Sequence, residues 1–262
     1  MQRIVLIGAG RVASQLGPAL RNEGVSIEQV VARTRPDTLA GTCTAQALAI
    51  DELSGLIVDA DLYLLAVSDG AIRQVSRQLA AYLPVYARLV HTSGATPLHE
   101  LSDHFHHRGV FYPLQTFSDH RTVDFREIPF CIEASTTTYE EDLLAFAKKL
   151  SSNVHLINGE EREVLHVAAV FANNFTNHLY AISQEILDQH QLPFDLLRPL
   201  IRETASKVQE QSPRDAQTGP SRRGDQATLD RHLAFLRKHH PEILDLYEQV
   251  SKSIEQSYGE EE

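Results

Sequence analysis

The sequence of 262 residues contains no tryptophan, one methionine and only two cysteines, Cys43 and Cys131. The two cysteines lie far apart, so they provide neither a zinc-binding spacing nor a disulfide framework. No apolar run approaches the roughly 20 residues that a membrane-spanning helix requires, and no basic and then apolar signal segment opens the sequence. These absences predict a soluble, cytoplasmic protein that binds neither a metal nor a membrane.

Positive charge is also scarce, because 24 lysine and arginine residues face 35 acidic residues, a formal net charge of −11. A nucleic-acid-binding surface needs basic side chains, so we expect no nucleic-acid partner. A few arginines can still form a local pocket for an anionic small molecule. The sequence lacks a serine-hydrolase elbow and a Walker motif, which leaves those enzyme classes unsupported.

The first half alternates short apolar runs with amphipathic segments, a pattern that is typical of β-α-β units in a parallel sheet. Strands are predicted at 3–7, 27–32, 48–50, 61–67, 88–91, 110–112, 130–133 and 154–157, and helices at 12–23, 71–82 and 139–150. After the turn at Asn158 and Gly159 the pattern becomes helical. One long helix is predicted at 160–189, and shorter helices at 193–211, 226–239 and 241–258. The sequence therefore predicts an α/β domain at 1–158 and an all-helical domain at 159–262.

The segment IVLIGAGRVA, residues 4–13, contains a G-x-G-x-x-A motif directly after a strand and directly before a helix. Gly8 permits a tight turn, Gly10 lets a pyrophosphate approach the backbone, and Ala13 allows close helix packing. This context predicts a Rossmann dinucleotide-binding domain. The alternative is a glycine turn in another α/β fold.

The residues after the second strand indicate which dinucleotide binds. NAD-binding proteins usually carry an acidic residue there, whereas this chain reads Ala32-Arg33-Thr34-Arg35. Arg33 and Arg35 are suited to a 2′-phosphate, with Thr34 adding a hydroxyl. We therefore predict NADP(H), against the alternative of two solvated loop arginines.

Polar residues follow two further strands. Ligands bind beyond the carboxyl ends of parallel strands, so Val67, Ser68 and His91 are expected to border the cofactor. Two alternatives remain open: Ser68 or Asp69 caps the next helix, and His91 is purely structural.

The predicted long helix is densely apolar from Val164 to Phe175, so we expect it to be buried on several sides. In a regular α-helix His166, Asn173 and Asn177 share a stripe roughly 40° wide. Buried polar groups require partners, which either a substrate and nicotinamide or a polar network across a dimer interface would supply. His166 is the candidate general acid or base, because an imidazole side chain can both accept and donate a proton near neutral pH.

Six segments together resemble one protein family. They are IVLIGAGRVA, LYLLAVSDGAI, LVHTSGATPL, GVFYPLQTFS, EVLHVAAVFANNFTNHL and AQTGPSRRGD. As a set they resemble Rossmann-like NADP oxidoreductases with an uncharacterised helical C-terminal domain, which are relatives of pyrroline-5-carboxylate reductase. The resemblance spans nearly the whole chain. It implies a cofactor cleft between the domains and a homodimer that packs through the helical halves.

The resemblance also implies roles for individual residues. The residues implied to contact the pyrophosphate are Gly8, Gly10, Arg11 and Val12. Those implied to contact the 2′-phosphate are Arg33 and Arg35. Those implied to face the reacting end of the cofactor are His166, Asn173, Asn174 and Asn177. Thr218 occupies the place of a threonine-rich loop near the reductases' substrate, but here the loop reads TGP. The lysine that related β-hydroxyacid dehydrogenases carry on the long helix is missing from 160–189. The substrate is therefore not inherited from either relative.

These observations lead to one hypothesis and two alternatives. The hypothesis is hydride transfer between NADP(H) and a small carbonyl or imine compound, with Asn173, Asn177 and Thr218 or His91 assisting His166. The first alternative is a non-catalytic NADP(H)-binding sensor or regulatory protein. The second is a reduced deazaflavin in place of nicotinamide.

Overall fold

A computed structural model describes residues 1–33, 46–118 and 121–258. It divides into two compact units, Met1–Asn174 and Phe175–Glu262. Within the described residues no helix is long and apolar enough to cross a membrane.

The first unit is built on one eight-stranded sheet. Its strands are β1 (Arg3–Ile7), β2 (Ser26–Ala32), β3 (Gln46–Ala49), β4 (Leu62–Leu65), β5 (Arg88–His91), β6 (His107–Pro113), β7 (Phe130–Ala134) and β8 (Val154–Leu156). Their spatial order is β3-β2-β1-β4-β5-β6-β7-β8. The first six are parallel, β7 runs antiparallel to β6, and β8 is parallel to β7. This order contains the 3-2-1-4-5-6 arrangement of a Rossmann fold, so the predicted fold class is confirmed.

Helices on the first unit cover both faces of the sheet. The covering helices are α1 (Arg11–Asn22), α2 (Ile72–Ala80) and α3 (Thr137–Ala147), and α4 (Gly159–Ala169) follows the last strand. Alternate residues of β1 contribute to two separate apolar clusters, Ile4 and Leu6 to one and Val5 and Ile7 to the other. This alternation follows from the two-residue period of a strand. Because both faces are buried, the strands read as continuous apolar runs in the sequence.

The second unit is helical. Its helices are α5 (Thr176–Gln189), α6 (Arg198–Glu210), the short α7 (Pro213–Ala216), α8 (Gln226–His239) and α9 (Leu244–Tyr258). The domain boundary after residue 158 stays a prediction. The last strand ends at Leu156 and α4 begins at Gly159, while the compact units divide between Asn174 and Phe175.

The long helix predicted at 160–189 differs from the structure in two respects. Residues Val170–Phe175 are π-helical, so they separate α4 from α5. Each i→i+5 bond adds a residue to the turn, and the stripe computed for a regular α-helix no longer follows. The prediction of burial on several sides is also wrong for the single chain, since Val164 is 71% and Val167 54% exposed. Apolar density shows which side chains favour burial, but it does not provide the surface that covers them.

Candidate functional site

A cleft of about 530 Å³ lies at the carboxyl ends of β1, β2 and β4. Its lining includes the glycine turn after β1, Arg33 after β2, and Val67 and Ser68 after β4. Strand order reverses between β1 and β4, and ligands of open α/β sheets bind at this reversal. The location of the cleft therefore follows from the topology of the sheet.

Gly8 is the residue that no other amino acid can replace without strain. Its φ angle is +115°, and a Cβ at this position would lie 2.1 Å from the carbonyl oxygen of Ala66. Its amide donates a hydrogen bond to the carbonyl of Val31 at 2.7 Å. The turn after β1 is thus held between β2 and the end of β4, and only glycine fits there.

Gly10 leaves the beginning of α1 open. It is the N-cap residue and has no side chain to cap the helix, and no acidic residue lies in the first turn. A Cβ on Gly10 would find no atom within 4 Å. The first amides of the helix and the positive end of its dipole favour an anion at this place. Arg11 is exposed and Val12 half-buried in the same turn.

Arg33 is exposed and lines the cleft at the end of β2. The other two residues predicted to contact a 2′-phosphate, Thr34 and Arg35, lie outside the described residues. Ser68 makes no side-chain capping bond to the turn that it precedes. Ser68 therefore does not cap the turn that follows it.

His91 ends β5 and is completely buried. Its Nδ1 accepts a hydrogen bond from the amide of Ser93 at 3.2 Å, and its Nε2 is buried without a hydrogen-bond partner among the described residues. Burial, assisted by the positive charge of Arg162, lowers the pKa of His91 to about 3. This imidazole is therefore neutral at physiological pH. His91 is not among the residues that line the cleft, and its contact with a cofactor stays a prediction.

His166 lies on α4 and packs against the segment that follows β5. A Cβ on Gly94 would lie 2.7 Å from Nδ1 of His166 and 2.6 Å from Cζ of Tyr112. The rings of Tyr112 and His166 are 6.3 Å apart between centroids. Glycine at position 94 thus allows both rings to approach the same backbone. Nδ1 of His166 is buried there without a partner among the described residues, which leaves Nε2 as the nitrogen that can exchange a proton with a ligand.

Arg162 precedes His166 by one helical turn. Its guanidinium forms an ion pair with Glu133 on β7 and donates a hydrogen bond to the carbonyl of Thr96 at 3.0 Å. Burial raises the pKa of the neighbouring Cys131 thiol to about 11, and burial likewise raises the pKa of Tyr112. Both groups remain protonated at neutral pH, so Cys131 does not act as a thiolate.

Comparison with known proteins identifies the family. The chain is 43% identical to BF3122 of Bacteroides fragilis, described as a "putative NADP oxidoreductase", over 97% of this chain and 98% of that one, with a TM-score of 0.89. The chain therefore belongs to the same family as the Bacteroides protein. Residues 128–254 of the chain match the domain of unknown function called DUF2520. No curated protein matches the chain in sequence.

More distant structures share the fold. An imine reductase from Myxococcus stipitatus in complex with NADP+ is 17% identical over 99% of this chain and 96% of that one, with a TM-score of 0.64. A reductive aminase from Aspergillus terreus in complex with NADPH and ethyl levulinate is 13% identical over 99% and 95%, with a TM-score of 0.68. At these identities the likeness concerns the fold alone.

The structure therefore gathers the predicted site residues into two groups within the first unit. Gly8, Gly10, Arg33, Val67 and Ser68 line the cleft, and His166 lies against the segment after β5. The predicted polar residues Asn173, Asn174, Asn177 and Thr218 are exposed, the last two in the second unit. Their part in the site stays a prediction.

Sequence reasoning missed four residues of the His166 group: Gly94, Tyr112, Glu133 and Arg162. Two signals were present in the sequence. Arg162 lies four residues before His166, the spacing that places two side chains on one face of a helix, and Gly94 follows a strand end in HTSG. Neither signal identifies Glu133 or Tyr112, which reach the group from other strands.

Proposed function

We propose that the protein is an NADP(H)-dependent oxidoreductase that transfers a hydride to or from a small carbonyl or imine compound. The glycine turn carries the proposal: Gly8 is required by its conformation, and Gly10 leaves a helix N-terminus open at the sheet's topological switch point. The nicotinamide supplies the hydride chemistry when the cofactor is bound. The chain contributes binding, orientation and a proton.

The choice of NADP(H) is supported by charge in the cleft. An acidic residue would repel a 2′-phosphate, whereas Arg33 lines the cleft at the end of β2. Family membership with the Bacteroides protein, whose description names NADP, supports the same cofactor.

His166 is the proposed proton donor or acceptor. Its Nδ1 is buried beside Gly94, so proton exchange with a substrate uses Nε2. A neutral imidazole can donate from one nitrogen only, and a buried Nδ1 without an acceptor favours the tautomer with the proton on Nε2. Asn173, Asn177 and Thr218 are proposed to orient the substrate, whose class we take from the imine-reducing proteins of the same fold.

The active assembly is proposed to be a homodimer in which the helical half is covered by a second copy. Leu196 and Leu200 are each 61% exposed, and Val164 on α4 is more exposed still. Large apolar patches on a protein surface mark interaction sites. A second copy with the same apolar faces would bury them.

Calorimetric titration with NADPH, NADP+, NADH and NAD+ tests the cofactor. The phosphorylated pair should bind more tightly. Arg33→Ala should weaken NADPH binding by about 10-fold to 100-fold, the size of a lost charge-assisted hydrogen bond, and leave NADH binding nearly unchanged. Arg77→Ala, on the exposed side of α2 and outside the cleft lining, is the matched control. Absence of binding by every dinucleotide would refute the proposal.

A second titration separates the two glycines. Gly10→Ala should leave the protein folded, because a Cβ meets no atom there, but it should weaken every dinucleotide by obstructing the pyrophosphate. Unchanged affinity in Gly10→Ala would mean that the dinucleotide binds elsewhere.

Turnover tests the role of His166. A screen of small imines and carbonyl compounds follows NADPH consumption, and His166→Ala should lower kcat by about 10²-fold to 10⁴-fold with unchanged NADPH affinity. NADPH binding without turnover of any compound would favour the sensor or regulatory function.

A further inference from the structure

Arg162 is the only lysine or arginine that is buried in the described part of the chain. The residue is 1% exposed, and its guanidinium is neutralised by the carboxylate of Glu133. A buried charge is tolerated only when it is paired and hydrogen-bonded. Its position is therefore narrowly defined by its partners.

Three elements of the first unit meet at this guanidinium. Arg162 belongs to α4, Glu133 to β7, and the carbonyl of Thr96 to the segment after β5. The beginning of α4 is fixed by a capping box, in which Asn158 accepts from the amide of Glu161 and Glu161 accepts from the amide of Asn158. The helix is thus fixed at its first residue and again one turn later.

His166 makes the next contact of α4 with the same segment. Arg162 holds Thr96, and the imidazole of His166 lies against Gly94, two residues earlier. Side chains four residues apart in a helix lie on one face. A shift of α4 at Arg162 would therefore move His166 relative to Gly94 and Tyr112.

The same guanidinium also acts on His91 through its charge. It lowers the pKa of His91 further than burial alone does. His91 is the last residue of β5, directly before the segment that Arg162 holds through Thr96. The titration of His91 therefore reports on the presence and position of the Arg162 charge.

We infer that Arg162 is a positioning residue: its guanidinium joins α4 to the segment after β5 and to β7, and it thereby fixes the imidazole of His166 against Gly94 and Tyr112. The inference rests on the proposed function for the role of His166 in proton transfer. The contacts of Arg162 do not depend on that function. Arg162 does not touch the reacting atoms. The planar arrangement of its N–H donors, besides its charge, is what holds α4 in position.

Side-chain histidine NMR of the full chain tests the inference without any ligand. Signals of His91 and His166 are assigned with His91→Gln and His166→Gln. In Arg162→Met, which keeps the length but removes the charge, the His166 signals should shift and the pKa of His91 should rise. In Arg162→Lys, which keeps the charge but loses the fork, the pKa of His91 should stay low while the His166 signals still shift. Arg88 lies on the same strand as His91 and forms an exposed ion pair with Asp142. Arg88→Met, which breaks this pair, should change neither the pKa of His91 nor the His166 signals.

Kinetics supply the second readout once a substrate is found. Arg162→Lys should lower kcat by tenfold to about a hundredfold, because small misplacements of a reacting group are costly, while the Kd for NADPH stays unchanged. A kcat equal to that of the wild type would overturn the inference, as would His166 signals that are the same in Arg162→Met and in the wild type.

The single variant Arg162→Met leaves Glu133 without its partner and can shift the His166 signals through misfolding alone. The double variant Arg162→Met/Glu133→Leu, which removes both members of the buried pair, separates a folding defect from loss of positioning. Replacing both charges by apolar groups is often neutral for stability. This double variant should fold and should still show shifted His166 signals, and wild-type signals in it would contradict the inference. Failure to bind NADPH would refute the proposed function alone, because the NMR measurement uses no dinucleotide.

Discussion

The two compact units differ in how far each covers its own apolar surface. In Met1–Asn174 two apolar clusters fill both faces of the sheet. In the described residues of Phe175–Glu262 only Ser221, Leu229, Leu236 and His240 are buried. A βαβ unit brings its own covering helix with each strand, whereas an amphipathic helix needs another element on its apolar face. The sheet of the first unit is therefore covered from within its own unit, whereas most apolar side chains of the second unit are not.

Packing within the second unit shows the same difference. A cavity of about 450 Å³ lies among α5, α8 and α9. Its lining is mostly apolar and includes Leu236, Phe235 and Val250, together with Thr218. The helices of the second unit thus leave an apolar space between them.

The largest expected effect is that of the same substitution in the two units. Leu64→Ala, in the fully buried β4, should reduce the free energy of unfolding by about 3–5 kcal/mol, because a cavity forms in a packed core. Leu236→Ala should reduce the free energy of unfolding by only about 2 kcal/mol, since Leu236 already borders a cavity. Urea unfolding followed by fluorescence and circular dichroism measures both. Equal losses would show that the second unit is packed as tightly as the first.

Acid should affect the first unit through His91. Its pKa is about 3 in the folded chain against 6.5 for the free side chain, so the unfolded chain binds more protons between these values. Stability should therefore fall as the pH decreases from about 6.5, by about 1.4 kcal/mol for each pH unit. His91→Gln should flatten this part of the profile. His99→Gln, at an exposed position, should leave it unchanged, and an identical slope in both variants would contradict the assignment to His91.

Removing one exposed leucine of the second unit should weaken self-association. Leu200→Glu should raise the dimer dissociation constant at least about tenfold, equivalent to about 1.4 kcal/mol, because it places a charge on an apolar face. Tyr86→Glu, at a 70% exposed residue of the first unit, is the control and should leave the dimer intact. Analytical ultracentrifugation distinguishes the results. A monomeric wild type would end the dimer proposal.

Surface ion pairs should contribute least and equally to the two units. Arg88 pairs with Asp142 in the first unit and Lys207 with Glu203 in the second, and all four side chains are substantially exposed. Arg88→Met and Lys207→Met should each change the free energy of unfolding by less than about 1 kcal/mol. A larger loss in one unit alone would mean that electrostatics, besides apolar packing, distinguishes the units.

Much of the cleft could be predicted from the sequence because its features are local. The glycine turn lies between a strand and a helix within ten residues, and an acidic residue is absent directly after β2. The His166 group could not be predicted in the same way. Gly94, Tyr112, Glu133 and Arg162 come from four separate elements, and which of them meet depends on the order of the strands.

The alternation of apolar and amphipathic segments by itself determined the α/β class of the first unit, and the motif around Gly8 and Gly10 predicted the glycine turn between β1 and α1. Only the tertiary structure decided that Ala66 forbids a side chain at Gly8, that Arg162 pairs with Glu133, and that the Nδ1 of His166 is buried. Periodicity and turn chemistry depend on interactions between residues close in the chain. The contacts that position a side chain arise between residues distant in sequence, after the strands have been ordered.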